Sequence, residues 1–237
     1  MNAFVEELVL LSGEPVMFGN IYVKHPTLRE IVDYGEDNYY QSIGLFTQKP
    51  FDLKGQLYLD KKTMYTDVDE FDLFLSLYYH RSFGDKYKWL IGDYDFIIEM
   101  DDNNQKYLID KRNGGKIDRL IYCQISQYLR DMNGIKQELS PGNLTAKIML
   151  IKQEAASLKR SRKRKKKSML SKYIKNIIWN KYSNYKYDDI WDLKIYQFID
   201  GLSVISKNDN RDNTMIGIYT GNIDSKKFDF SKIELFS

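Results

Sequence analysis

The 237-residue chain is long enough for one large domain or two small ones, and its 43% hydrophobic and 14% aromatic content is globular, which excludes a disordered tail. One cysteine, Cys123, excludes an intramolecular disulfide framework and suits a reducing compartment. The formal net charge of +3 hides a strong asymmetry: residues 145–187 hold 14 Lys/Arg against one acid, Glu154, while the remainder holds 22 basic against 32 acidic residues.

The opening MNAFVEELVLLSGEP lacks the basic and long apolar regions of a signal peptide. No stretch approaches the roughly 18 apolar residues of a membrane span, so a soluble protein without a membrane partner is expected, made and working inside a cell. Glu7–Leu11 and Ile21–His25 are short apolar runs on either side of Ser12-Gly13-Glu14-Pro15 and read as two extended segments around a turn. Thr27 with Glu30 three residues later predicts a capping box, followed by a short helix through Tyr34, a break near Gly35 and a second helix from Asp37 towards Phe46. Asp67-Val68-Asp69-Glu70 repeats the cap ahead of an amphipathic helix carrying Phe71, Leu73, Phe74, Leu77 and Tyr78.

Trp89–Met100 and Lys106–Ile109 flank the polar cluster Asp101-Asp102-Asn103-Asn104 and predict a β-hairpin, with a further turn at 112–115. Ile117, Leu120, Ile121, Ile125, Tyr128, Leu129 and Met132 mark a helix stripe with Gly134 as its C-cap. Ser140-Pro141-Gly142 is the clearest break. Beyond it Leu144, Ile148, Ile151, Ala155 and Leu158 recur at helical steps, Leu170 to Ile178 continue them, and 190–205 predicts another helix. The expected fold class is α+β, with a mixed strand and helix front containing a β-hairpin and a mainly helical back. The expected division is an α+β domain at 1–140, a basic helix or linker at 141–168 and a helical, aromatic-rich domain at 169–237.

The segment Lys159–Lys167, KRSRKRKKK, is cationic at eight of nine positions. Such a run reads as a solvated linker kept open by self-repulsion, as a grip for an acidic protein partner, or as a phosphate-neutralising strip on nucleic acid. Asp93, Asp95 and Glu99 would share one strand face and could hold Mg²⁺. The lysine of Asp110-Lys111 falls on the wrong face for a metal-dependent nuclease, so a solvent-facing strand is the expectation. His25 and His80 are far apart and no zinc or P-loop spacing occurs, so no catalytic, metal or cofactor residues are assigned. Trp179, Tyr182, Tyr185, Tyr187, Trp191, Tyr196 and Phe198 lie within twenty residues, a density that fits a helical core or a partner-binding surface.

Two stretches carry a resemblance. Tyr22-Val23-Lys24-His25-Pro26-Thr27-Leu28-Arg29-Glu30-Ile31, followed by Tyr39-Tyr40, resembles the opening of tail and baseplate assembly proteins of long-tailed bacteriophages. Residues 191–200, WDLKIYQFID, and 217–224, GIYTGNID, are similar to the C-terminal part of phage tail proteins encoded near the tape measure. The resemblance implies a non-enzymatic tail assembly chaperone or a minor baseplate or hub component. It acts in the host cytoplasm during assembly or stays in the virion tail, and binds tail, baseplate or tape-measure proteins or a second copy of itself. On this reading Trp179, Tyr182, Trp191, Tyr196 and Phe198 make the apolar contacts, and Arg160, Arg162, Lys163, Arg164 and Lys165 the electrostatic ones. A nucleic-acid-binding module using 159–167 is the second reading, and an unrecognised metal-dependent enzyme at Asp93 and Asp95 the third.

Overall fold

The computed structural model describes residues 7–136, 138, 140–161 and 168–233. Short strands in the first half and helices throughout make it an α+β fold, as expected. The first apolar run departs from expectation. Glu7–Ser12 is a short helix, α1, that buries Leu10 and packs on the long helix α10 (Ile195–Tyr219). Six residues cannot sustain a helix alone; the Gln197 amide donates to the Leu11 carbonyl at 2.8 Å and helps hold its end. The hairpin lies one turn later: β1 (Val16–Phe18) pairs antiparallel with β2 (Ile21–Val23), with Phe18 opposite Ile21. Gly19, at φ 58°, supplies the left-handed turn that a side chain would resist.

Helix α2 (Leu28–Tyr34) carries the expected capping box: Thr27 Oγ1 accepts the Glu30 N–H at 3.2 Å, and the Glu30 carboxylate accepts the Thr27 N–H at 2.8 Å. Gly35, at φ 93°, breaks the chain into α3 (Glu36–Thr47), whose second half is continuously buried. A single 3₁₀ turn at 50–53 leads into α4 (Lys54–Lys61), and α5 (Glu70–Tyr79) starts where Asp69 accepts the N–H groups of Phe71 and Asp72. Trp89–Ile91, expected as strand, belongs to a one-turn helix, α6 (Lys88–Ile91), that Gly92 ends at φ 102°. The strand therefore begins only at Ile97.

The expected hairpin is present as β3 (Ile97–Met100) and β4 (Lys106–Asp110), and a third strand, β5 (Gly115–Ile117), extends it in the order β3-β4-β5. Ile117 thus belongs to a strand, and helix α7 runs Arg119–Met132 with Asp118 as N-cap. Asn133 caps its end and Gly134 follows at φ 61°. Tyr122, Ile125, Tyr128, Leu129 and Met132 are fully buried, which makes α7 the axis of the core.

Helix α8 (Leu144–Ser161) seats its middle, Ile151 and Ala155, on α4. The two backbones approach so closely that a Cβ on Gly55 would lie 2.8 Å from the Ala155 nitrogen. Buried Lys54 fixes the register by pairing with Glu154 at 2.7 Å. Helix α9 (Met169–Ile178) buries Leu170, Ile174 and Ile177. The helix expected over 190–205 starts at Ile195 after a 3₁₀ turn and continues to Tyr219. No helix among the described residues is long and apolar enough to cross a membrane.

Front and back halves join by backbone pairing. Leu28 N–H donates to Leu193 O and Ile195 N–H to Pro26 O, each at 2.9 Å. One buried cluster then runs from Leu10 to Ile205. His25 sits beside this joint, buried, with Nδ1 3.4 Å from the Tyr128 hydroxyl and no hydrogen-bond partner at Nε2. Burial, and then the Lys194 ammonium on its carbonyl side, lower its pKa to about 4. The unfolded chain therefore takes up the proton first as pH falls, so this residue's contribution is complete above pH 6.5 and is lost progressively towards pH 4. We expect urea unfolding of the wild type to lose up to about 3 kcal/mol more stability across that window than His25→Phe does. Parallel pH profiles of the two proteins would refute the assignment.

Candidate interaction surfaces

The aromatic loop between α9 and α10 is anchored by polar side chains. The Asn180 amide donates to Asp209 at 2.9 Å, and Lys181 pairs with Asp212 at 2.6 Å. The Tyr182 hydroxyl donates to the same Asp212 carboxylate. Lys181 and Tyr182 hold that carboxyl below the usual carboxylate range. Positions 209, 212, 216 and 219 follow three- and four-residue steps, so Ile216 and Tyr219 extend the α10 face that the loop grips. Among residues 206–219 of α10 none is buried, and Tyr219 is 80% exposed. Trp179 is 78% exposed and donates its indole N–H to the Tyr187 hydroxyl at 3.2 Å. Tyr185 and Tyr187 are about half exposed beside it in the chain.

The five aromatic residues singled out in the sequence therefore divide. Trp179 is open to contact. Tyr182 is half-buried and tied to α10. Trp191 and Tyr196 are partly buried and pack against the core. Phe198 is fully buried between α10 and the rest of the core, so it cannot touch a partner; its role is packing. Ile216 and Tyr219 were missed because the helix was expected to end at 205; the 209-212-216-219 spacing was the available signal.

Of the electrostatic residues, Arg160 is exposed in the last turn of α8, with Lys159 beside it. Arg162, Lys163, Arg164 and Lys165 lie outside the described residues.

The acidic residues do not share a strand face, because Asp93 and Asp95 precede β3. Each meets a cation, Lys88 being shared by the two aspartates. Lys88 lies 2.8 Å from Asp93 and also contacts Asp95, Arg112 reaches Asp95 at 2.8 Å, and Lys111 pairs with Glu99 at 2.5 Å. Asp110 accepts the backbone N–H groups of Asp95, Arg112 and Asn113, which lower its pKa to about 2 and pin the β4–β5 turn. These carboxylates build the sheet. Among the described residues no group of three His, Cys, Asp or Glu is placed to hold a metal. A groove of about 610 Å³ opens between the end of α5, the 81–87 loop and the start of β3, with Leu77, Phe83, Tyr87 and Phe96 in its walls.

Residues 162–234 match the family model of the YomV second domain, named for a protein of a Bacillus phage region. That span holds α9, the aromatic loop and α10, and covers under a third of the 237 residues. It is consistent with a phage protein and names no tail or baseplate part. No curated protein and no solved structure matches the chain.

The division of the aromatic residues has a direct consequence for stability. Trp179→Ala is expected to change unfolding free energy by no more than about 0.5 kcal/mol. Phe198→Ala is expected to cost about 3–5 kcal/mol through cavity formation. Urea midpoints that fall equally in both variants would place Trp179 in the core and remove it from the surface.

Proposed function

We propose that the chain is a non-enzymatic phage morphogenesis factor that works by binding tail, baseplate or tape-measure proteins in the host cytoplasm. The observation that carries this reading is the second half of α10. It extends past the last buried residue, Ile205, with Ile216 and Tyr219 uncovered on the face gripped by the aromatic loop, inside the span similar to the phage-region domain. Trp179, Tyr185 and Tyr187 offer large aromatic area at low rotamer cost, the composition favoured at interface centres. Trp191 and Tyr196 border this surface in the sequence and stiffen its base against the core. The cations of α8 and of the 159–167 run would govern encounter and selectivity more than affinity. Self-association through the same surface is compatible with this role. A nucleic-acid role rests on the cationic run alone.

The test is affinity capture of the full chain from phage-expressing cells at about 300 mM salt, with and without nuclease, where phosphate-dominated contacts weaken steeply. A tail, tape-measure or baseplate protein should survive both treatments and fall at least tenfold in yield with Trp179→Ala/Tyr219→Ala. Recovery of nucleic acid alone, lost as salt rises, would overturn the proposal.

A further inference from the structure

Helix α8 is 18 residues long and rests on α4, which has eight. At 1.5 Å per residue α8 is about 27 Å long, and its apolar stripe from Leu144 to Leu158 about 21 Å, over a support of about 12 Å. The stripe is buried only at Ile151 and Ala155. The uncovered part of the stripe and the surface flanking it form one open face with an internal order. Its N-terminal half carries Leu144 and Met149, each 60% exposed, and Ile148. Exposed Lys152 stands at its middle, and exposed Lys159 and Arg160 lie at its C-terminal end. None of these three cations pairs with a carboxylate of the described residues, since Glu154, the acid of this helix, is occupied by Lys54. Helical spacing places the six side chains within one half of the helix circumference.

We infer that this face docks an amphipathic helix of a partner protein, apolar in its C-terminal half and acidic in its N-terminal half, packed antiparallel to α8. Charge complementarity selects the occupant. A phosphate backbone would satisfy Lys152, Lys159 and Arg160 but would leave Leu144, Ile148 and Met149 in water, whereas an acidic amphipathic helix covers both halves. The orientation follows from helix electrostatics. Acids are most stable in the first turns of their own helix, so an antiparallel partner brings its acidic N-terminus against the cationic C-terminus of α8. Antiparallel packing along one shared stripe is also the geometry by which helix faces bury apolar side chains in bundles. This deepens the binding role proposed above by naming the partner's chemistry at one surface.

The probe is a fluorescein-labelled peptide of about 18 residues, matched to the length of α8, with glutamates in its first two turns and a leucine stripe in the rest. It is titrated against the full chain by fluorescence anisotropy in about 150 mM salt, beside a peptide of reversed charge and a labelled DNA duplex. Saturable binding of the acidic peptide, weakened tenfold or more both by Ile148→Ser/Met149→Ser and by Lys159→Glu/Arg160→Glu, is the expected result. All four positions are solvent-facing, so both variants should keep the wild-type circular dichroism and melting temperature. If Ile148→Ser/Met149→Ser loses the wild-type fold, Met149→Ser alone serves as the apolar test. Absence of binding, binding that ignores the apolar substitutions, or tighter binding of the duplex than of the peptide would each overturn the inference. Capture of a tail protein in the preceding experiment together with failure here would leave the binding role standing and remove α8 as its site.

Discussion

Two backbone hydrogen bonds between residues 26–28 and 193–195 fix where α10 begins and tie it to the front of the chain. Pro26 has no N–H to give, but its carbonyl accepts from Ile195, while Leu28 donates to Leu193. The joint therefore sits at two helix starts at once: Thr27 caps α2 and Lys194 precedes α10. Orphan N–H groups that helix starts would otherwise expose are here used to bind the two halves to each other. Because α10 leaves the joint at Ile195, its first three turns bury Ile195, Phe198 and Ile205 against the core, and its remaining turns run beyond it.

The same joint sets an electrostatic condition. His25 is neutral in the fold, since burial and the neighbouring Lys194 both disfavour its charged form. Lys194 in turn spends its ammonium on the His25 carbonyl at 3.0 Å, and its aliphatic stem lies against Gly13, where a Cβ would come 2.4 Å from it. One lysine stem thus separates the end of α1 from the start of α10. Gly13 has a second reason to be glycine, its φ of 69°. The arrangement ties α1, α2 and α10 to one polar centre, so changes at any of them should couple.

Much of this organisation was legible in the sequence where the signal was local and stereochemical. The capping box at Thr27 and Glu30 and the break at Gly35 depend on residues within one or two turns of each other and stand where expected. The acidic cap ahead of α5 falls on Asp69, and the α7 stripe stands but for Ile117, in β5, and exposed Leu120. Elements that tertiary contact decides were not legible. Glu7–Ser12 has the apolar content of a strand, yet α10 holds it as a helix. Strand β5 has three residues and no pattern, and exists because β4 offers it a pairing edge. Within the candidate surface the aromatic residues were visible as a group, but their sorting was not. Phe198 and Trp179 look alike in composition, and only the start of α10 at Ile195 places one inside and the other out.

The basic run raises a problem for helix stability that its surroundings answer. Like charges at successive turns destabilise a helix, but cations in a last turn interact favourably with the negative end of its dipole. Lys159 and Arg160 occupy that position in α8. The start of α9 has the opposite problem, because cations next to a helix N-terminus oppose its dipole. There Glu36, from the first turn of α3, supplies a carboxylate that accepts the N–H groups of Met169 and Leu170 at 2.9 and 3.0 Å, while Ser168 accepts that of Ser171. A charge-assisted bond of this kind contributes about 1.5–3 kcal/mol. The acid that anchors α9 is contributed by the acidic front of the chain, so the uneven spread of charge serves folding before it serves any partner. Lys152, Lys159 and Arg160 of α8 meet no carboxylate of the described residues, and they are the cations of the docking face proposed above.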